Sequence, residues 1–277
     1  MTTVYPLVFR FGSFEVTGFG IMMMLAFVVG GWLVGLEIRR RGWNEDYGAD
    51  IIVAAVVGGI IGAKLWYVAL TGDPGALLSR GGLVWYGGFL GGVLAVILNG
   101  WRRQVPMRIT AHLAAPALAG AYALGRVGCF VVGDDYGRPT DAFWGVKFPQ
   151  GLPPSTAGNM AALFHVPIAA DIPPSTVLAV HPTQLYEVTI MLTVFMVLWR
   201  WRLSDRPMGW LFGAYLAFAG TERFLVEILR AKDDRLLGIF TLAQATSILV
   251  LAVGVVVMTR LTAPDPQPGE YLLRKPA

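Results

Sequence analysis

Cysteine is nearly missing from this chain. Cys129 stands alone among 277 residues, which excludes an intramolecular disulfide framework and any multi-cysteine metal site. Histidine is almost as scarce, and His112, His165 and His181 do not fall at metal-ligand spacing. Charge is thin as well: 14% of residues are charged and 55% are hydrophobic, whereas an ordinary soluble domain carries about 25% charged residues. Such a chain cannot cover itself with polar surface in water. The net charge of +4 does not point to nucleic acid, because the basic residues lie in short runs between apolar stretches and build no single basic face. A cleavable leader is not expected. Only Arg10 precedes the first apolar stretch and a basic run follows it, the reverse of a signal peptide.

What is abundant is long apolar sequence. A helix needs about 20 apolar residues to cross the hydrocarbon core, and residues 16–36, 83–100 and 236–259 supply such runs without a charge. Four more runs are interrupted or edged by polar groups: 51–70 holds Lys64, 109–124 holds His112, 183–199 holds Glu187, and 208–228 holds Glu222, Arg223 and Glu227. The sequence therefore predicts an all-α integral membrane protein of seven transmembrane helices, one polytopic domain spanning residues 1–277. Positive loops stay cytoplasmic. Arg39, Arg40 and Arg41, then Arg102, Arg103 and Arg108, then Arg200, Arg202 and Arg206 follow the first, third and fifth runs, and Arg260, Arg274 and Lys275 follow the last. The N-terminus is thus expected outside, and the C-terminus inside as a flexible cytoplasmic tail over 261–277. The loops around Arg80 and around Arg230, Lys232 and Arg235 fall outside, the last of them more basic than the rule prefers. Residues 125–180, between the fourth and fifth spans, contain seven prolines and read as a long, irregular extracytoplasmic segment.

Ionisable residues inside a membrane cost several kcal/mol unless paired or wet, so each marks a possible site. Arg223, Glu227 and Arg230 fall on one helical stripe, four and three residues apart, where a phosphate could be held; the plain alternative is snorkelling at the membrane edge. Arg126 lies in GRVGCFVVGDDYGRPT (125–140), whose glycines suit either ligand approach to the backbone or close helix packing. In HPTQLYE (181–187), Gln184 and Glu187 share a helix face, and Glu187 needs a partner that Arg126 or Arg223 would supply. Pro182 suits the first helical position of that run. Lys64 either snorkels outward or joins a site. Trp85 and Tyr86 open the third span, where aromatic residues commonly form an interfacial belt, and Cys129 reads as a small buried residue.

These segments in this order, together with ERFLVEILR (222–230), the following LAQ (242–244) and GGLVWYGG (81–88), resemble the prolipoprotein diacylglyceryl transferase family. The resemblance implies transfer of the diacylglyceryl group of phosphatidylglycerol to the lipobox cysteine thiol of a prolipoprotein signal peptide, with release of glycerol phosphate. It implies a multi-pass protein of the bacterial plasma (inner) membrane and no metal or organic cofactor. It carries the family's arginines onto Arg126 and Arg223, its acidic and polar positions onto Gln184, Glu187 and Glu227, and the glycine after the acidic pair onto Gly137. Asp134 is preferred over Asp135 for the family's aspartate, and Lys64 and His181 complete the expected substrate-binding set. Where many members carry His before Gly-Gly this chain has Tyr86, which then stands as the thiol's proton acceptor if neighbouring arginines lower its pKa. Cys129, Val132 and Phe19 replace two Asn and a Tyr. Those departures keep open a paralogue that uses the same donor with another acceptor. A lipid or solute transporter using the same charges would need a polar route through the inner halves of the spans, which read as almost wholly apolar.

Overall fold

The computed structural model describes residues 7–11, 14–78, 84–231, 235–236 and 240–264. Arg80, Leu83, Lys232, Arg274 and Lys275, which bear on the expected loops, third span and tail, lie outside the described residues. Seven long helices are present: α1 (Gly18–Arg40), α2 (Asp46–Thr71), α3 (Trp85–Arg102), α4 (Met107–Val132), α6 (Thr183–Trp201), α7 (Trp210–Glu227) and α8 (Leu242–Arg260). A short helix, α5 (Ala157–Phe164), lies between α4 and α6. Besides the helices and the connecting loops, the described residues form one 3-10 turn and three small antiparallel pairs. These pairs are β1 (Leu7–Phe11) with β2 (Phe14–Thr17), β3 (Val146–Lys147) with β4 (Ala179–Val180), and β5 (Arg235–Leu236) with β6 (Phe240–Thr241).

The helix ends follow local chemistry. The Thr17 hydroxyl accepts the Gly20 N–H at the start of α1, and Thr241 and Gln244 form a reciprocal capping box at the start of α8. Both α2 and α4 stop at a glycine with φ of +68°, Gly72 and Gly133. Four helices, α1, α2, α4 and α8, are long and apolar enough to cross a membrane by length and composition. Their outer faces carry large bare hydrophobic side chains, such as Trp32, Val53, Leu70 and Leu249, each more than 60% exposed. In water that surface would be costly; against lipid tails it is matched.

Helix α4 is the centre of the bundle and packs against α1, α6 and α7. On one side Leu33, Val34, Ile38, Ile109 and Leu113 interlock α1 with α4. On the other, Ala115, Ala119, Ala123, Met191, Val194, Leu198, Leu211 and Ala214 bring α4, α6 and α7 together through small residues. Helices α2 and α3 touch backbone to backbone: a Cβ on Gly62 would stand 2.8 Å from the Gly91 Cα. His112 is a structural histidine, with Nδ1 accepting the Gly209 N–H at 3.1 Å where α7 begins.

One expectation needs correction. The fourth helix does not stop near residue 124 but continues for two more turns to Val132, so Arg126 and Cys129 are helical residues. Gly128 accordingly serves packing rather than ligand approach, since a Cβ there would meet Met22 Cβ at 3.1 Å and Phe19 Cδ2 at 3.3 Å on α1. The following segment has little regular secondary structure, yet it is packed. Tyr136, Val146, Phe148, Met160, Val180 and Ala231 form a separate small core, with Phe130 packed against it. Phe148 is fully buried and stacks on Tyr136, ring centres 5.4 Å apart. This core makes a folded cap over the ends of α4 and α7 and the start of α6.

Candidate active site

Under the cap, three helix ends converge. Glu187, one turn into α6, has no exposed surface, and its Oε2 pairs with Nε of Arg126 from α4. Arg126 reaches the other way to Asp135, Nη1 to Oδ2 at 3.0 Å, and also donates to the Cys129 sulfur at 3.3 Å. Asp135 pairs through its second oxygen with Arg230. Arg230 Nε lies 3.7 Å from Glu227 Oε2, and that same oxygen takes Nη2 of Arg223 at 2.7 Å. The result is one chain of alternating charge, Glu187, Arg126, Asp135, Arg230, Glu227, Arg223, in which three guanidiniums meet three carboxylates. The expected helical stripe is partly realised: Arg223 and Glu227 lie on α7, while Arg230 lies beyond its end.

The backbone holds this chain in place. Asp135 adopts φ of +57°, an uncommon conformation for a residue with a side chain. Its carbonyl accepts the Thr183 hydroxyl at 2.8 Å, and the neighbouring Asp134 carbonyl accepts the Gln184 side-chain amide. Gly137 sits where nothing larger fits, because a Cβ would stand 2.6 Å from the Leu229 carbonyl oxygen and 2.8 Å from the His181 Cβ. Its N–H donates to the His181 carbonyl, and the next N–H, of Arg138, donates to Leu229. The Arg138 side chain then donates to the Arg230 carbonyl at 3.1 Å. HPTQLYE and the end of ERFLVEILR are thereby tied to one loop.

Of the two aspartates, Asp135 carries the ion pairs, not the preferred Asp134. Burial acts to raise the Asp135 pKa, but the Arg230 and Arg126 guanidiniums outweigh it and hold the carboxyl down at about 2. Asp134 goes the other way, raised by burial and by the charge of Asp135, and its buried Oδ1 has no hydrogen-bond partner among the described residues. Cys129, Asp134 and Asp135 bring a thiol and two carboxylates within 4.8 Å of one another. Guanidiniums already hold two of the three, Arg126 at the Cys129 sulfur and Arg126 and Arg230 at Asp135.

Among the described residues, several buried atoms in the cluster lack a hydrogen-bond partner: Arg126 Nη2, Arg223 Nη1, Gln184 Oε1, Glu187 Oε1 and Glu222 Oε1. Two are cationic donors, one on each arginine singled out in the sequence. Buried polar atoms are rarely left this way, and a gathering of them calls for water, an ion or a polar ligand to satisfy it. Glu222, named in the sequence as an ionisable residue of its run but given no role there, lies with them. It is buried beside Arg223, and an acid–base neighbour pair inside an apolar run was the signal for it. Gln184 and Glu187 are both fully buried on the face expected for them. Pro182 directly precedes α6 instead of occupying its first position.

Other expected residues do not join the cluster. Tyr86 is 62% exposed on α3, edge-on to Trp85 at 5.2 Å, and no described contact links it to the arginines. Lys64 is half-buried on α2, which packs chiefly on α3. His181 contributes its backbone to the loop, while its Nδ1 lies 3.1 Å from the Tyr186 hydroxyl; burial lowers its pKa.

The model of the prolipoprotein diacylglyceryl transferase family matches residues 6–260. The chain belongs to this family. Among its relatives, a protein of Geobacter sulfurreducens is 31% identical over 94% of this chain and 97% of its own length. One of Cupriavidus metallidurans is 32% identical over 91% and 92%, and one of Clostridium tetani is 29% identical over 91% and 96%. Each is named phosphatidylglycerol–prolipoprotein diacylglyceryl transferase. The matched region includes every member of the alternating charge chain.

Proposed function

We propose that this protein transfers the diacylglyceryl group of phosphatidylglycerol to the lipobox cysteine thiol of prolipoproteins in the bacterial plasma membrane. In this reaction the thiolate sulfur attacks the glycerol carbon that bears the phosphate. A carbon–sulfur bond forms, the carbon–oxygen bond breaks, and glycerol phosphate leaves with the electron pair. Negative charge grows on the leaving phosphate, so donors fixed beforehand in a dry site stabilise the transition state. The observation that carries the assignment is the pair of unpartnered buried nitrogens, Arg126 Nη2 and Arg223 Nη1, at the two arginines of the charge chain. Glu187 and Glu227 position those guanidiniums, Asp135 and Arg230 join them, and Gln184 and Gly137 fix the loop that closes the site. Tyr86, on its exposed face, is not supported as the thiol's base by this geometry.

In this reading all seven long helices span the bilayer as one polytopic domain. The cap and charge chain lie on the extracytoplasmic side, and the arginine-rich helix ends lie in the cytoplasm, as charge retention requires. A transport function is not favoured. Between the two ends, α4, α6 and α7 meet through the buried apolar residues Ala115, Ala119, Met191, Val194, Leu198, Leu211 and Ala214.

The test is mass spectrometry of a lipobox peptide incubated with the purified protein and phosphatidylglycerol, beside a Cys-to-Ser peptide. A diacylglyceryl mass gain on the cysteine peptide alone is expected. No gain with folded protein and an active control enzyme would overturn the assignment and turn attention to another acceptor.

A further inference from the structure

At the opposite end of the bundle from the charge chain lies a second basic site. Glu37, on the last turn of α1, is 3% exposed and accepts from three arginines: Arg40 at 2.6 Å and 2.9 Å, Arg41 at 2.8 Å, and Arg202, which follows α6, at 2.9 Å. Arginines that merely mark the cytoplasmic side need only face water. Here the Arg41 and Arg202 side chains are drawn in, to 12% and 14% exposure. The Arg202 guanidinium lies 3.7 Å from the Trp199 ring centre, a stacking that fixes its plane, and its buried Nε has no hydrogen-bond partner among the described residues. Beside it opens a cavity of about 570 Å³ lined by Arg40, Arg41, Arg202, Arg206, Ser204 and Asp205, among others. Arg206 stands exposed at this cavity and is oriented by Trp210, 4.4 Å from its ring centre. Four guanidiniums stand against two carboxylates, Glu37 behind and Asp205 on the lining, and the two whose planes are set by Trp199 and Trp210, Arg202 and Arg206, suit the oxygens of a phosphate group.

We propose that this pocket binds a phosphate group, presented by an anionic phospholipid of the leaflet at this end of the helices. Which leaflet that is rests on the orientation proposed above; the binding itself does not. The cavity opens where α1 and α6 end and α7 begins, the depth at which lipid head groups lie. Arg202 and Arg206 supply the forked donors, and Ser204 a hydroxyl.

The test compares the purified full chain with R202Q/R206Q by native mass spectrometry in detergent, using dioleoyl phosphatidic acid and, as the uncharged control, dioleoyl phosphatidylcholine. The charge chain can also hold an anionic lipid, so the readout is the difference between the two proteins. Wild type is expected to retain one phosphatidic acid more than the variant, with apparent affinity lower by about tenfold or more in the variant, and no difference for phosphatidylcholine. Inorganic phosphate distinguishes the source. If it raises the melting temperature of wild type only, and displaces the extra lipid, a soluble phosphate is the guest. R202K, which keeps the charge without the fork, is expected to fall between. Should R202Q/R206Q not fold, R206Q at the exposed position decides by the same difference. Equal retention and equal phosphate shifts in all proteins would overturn the proposal. Diacylglyceryl transfer is measured in parallel, so its failure with pocket binding intact would count against the proposed function alone.

Discussion

Consider replacing Arg126 by Met and Glu187 by Gln, singly and together. Glu187 is fully buried, and its carboxylate is held chiefly by one guanidinium, with the Tyr122 hydroxyl distant at 3.5 Å. Arg126 is nearly as enclosed, at 12% exposure. Removing one member of such a pair leaves the other as an uncompensated charge, at a cost of about 3–5 kcal/mol, whereas replacing both removes the pair and its desolvation together. Asp135 loses one partner in R126M and in the double variant, but keeps Arg230. Each single variant should therefore be destabilised strongly. The double variant should be at least about 2 kcal/mol more stable than the sum of the two losses predicts. Reversible unfolding in mixed micelles measures this coupling. Transfer to a lipobox peptide should behave differently: R126M and the double variant should both be inactive, since no stability gained restores the donor aimed at the phosphate. Additive stability losses would refute the buried pair, and recovered turnover in the double variant would refute the role of Arg126.

Three further outcomes follow from the same geometry. R223A should lower the transfer rate by about 100-fold or more, and R223K should restore only part of it, since Lys lacks the fork; steady-state rates with phosphatidylglycerol check this. G137A should shift the loop away from the Leu229 carbonyl, costing about 1–3 kcal/mol and exposing the cap to limited proteolysis. Asp135 is held at about 2 against an ordinary 3.8, so the unfolded chain takes up its proton first as pH falls. Its contribution to stability should be complete above about pH 4 and vanish between 4 and 2. Melting curves of D135N should lack that acid-side component, and identical acid profiles would count against the Asp135 pairing.

Much of this site is legible in the sequence because membranes make charge conspicuous. Glu187 demands a partner when set in an apolar run, and of the two arginines the sequence offers, Arg126 and Arg223, the structure pairs it with Arg126. Arg223 and Glu227, four residues apart, face each other on any helix. What was not legible depended on tertiary fit. The two additional turns of α4 pass through Gly125 and Gly128, poor helix formers, and Gly128 is seated against Phe19 and Met22 of a distant helix. The choice between Asp134 and Asp135 turns on one backbone angle, which Thr183 and the adjacent Gln184 contact help to hold. The cap reads as proline-rich loop because its core gathers single residues from separated stretches. Glu37 with Arg40 and Arg41 is readable as helical spacing, but Arg202 arrives from 165 residues away. The exposed position of Tyr86 follows from how α2 and α3 pack together, which no local pattern announces.

The cap core joins Tyr136, just after α4, to Ala231, just after α7, with Phe130 of α4 itself packed beneath. A lid hinged on one helix can lift; this one is riveted at two. Raising it would part the ends of α4 and α7 and pull apart the contacts from Arg126 through Asp135 to Arg230. The roof is therefore the wrong way in. Both reactants of the proposed reaction, a lipid and a signal peptide, already lie within the bilayer, and a fixed roof favours their arrival sideways between helices, with only the small, water-soluble glycerol phosphate left to leave by an aqueous path.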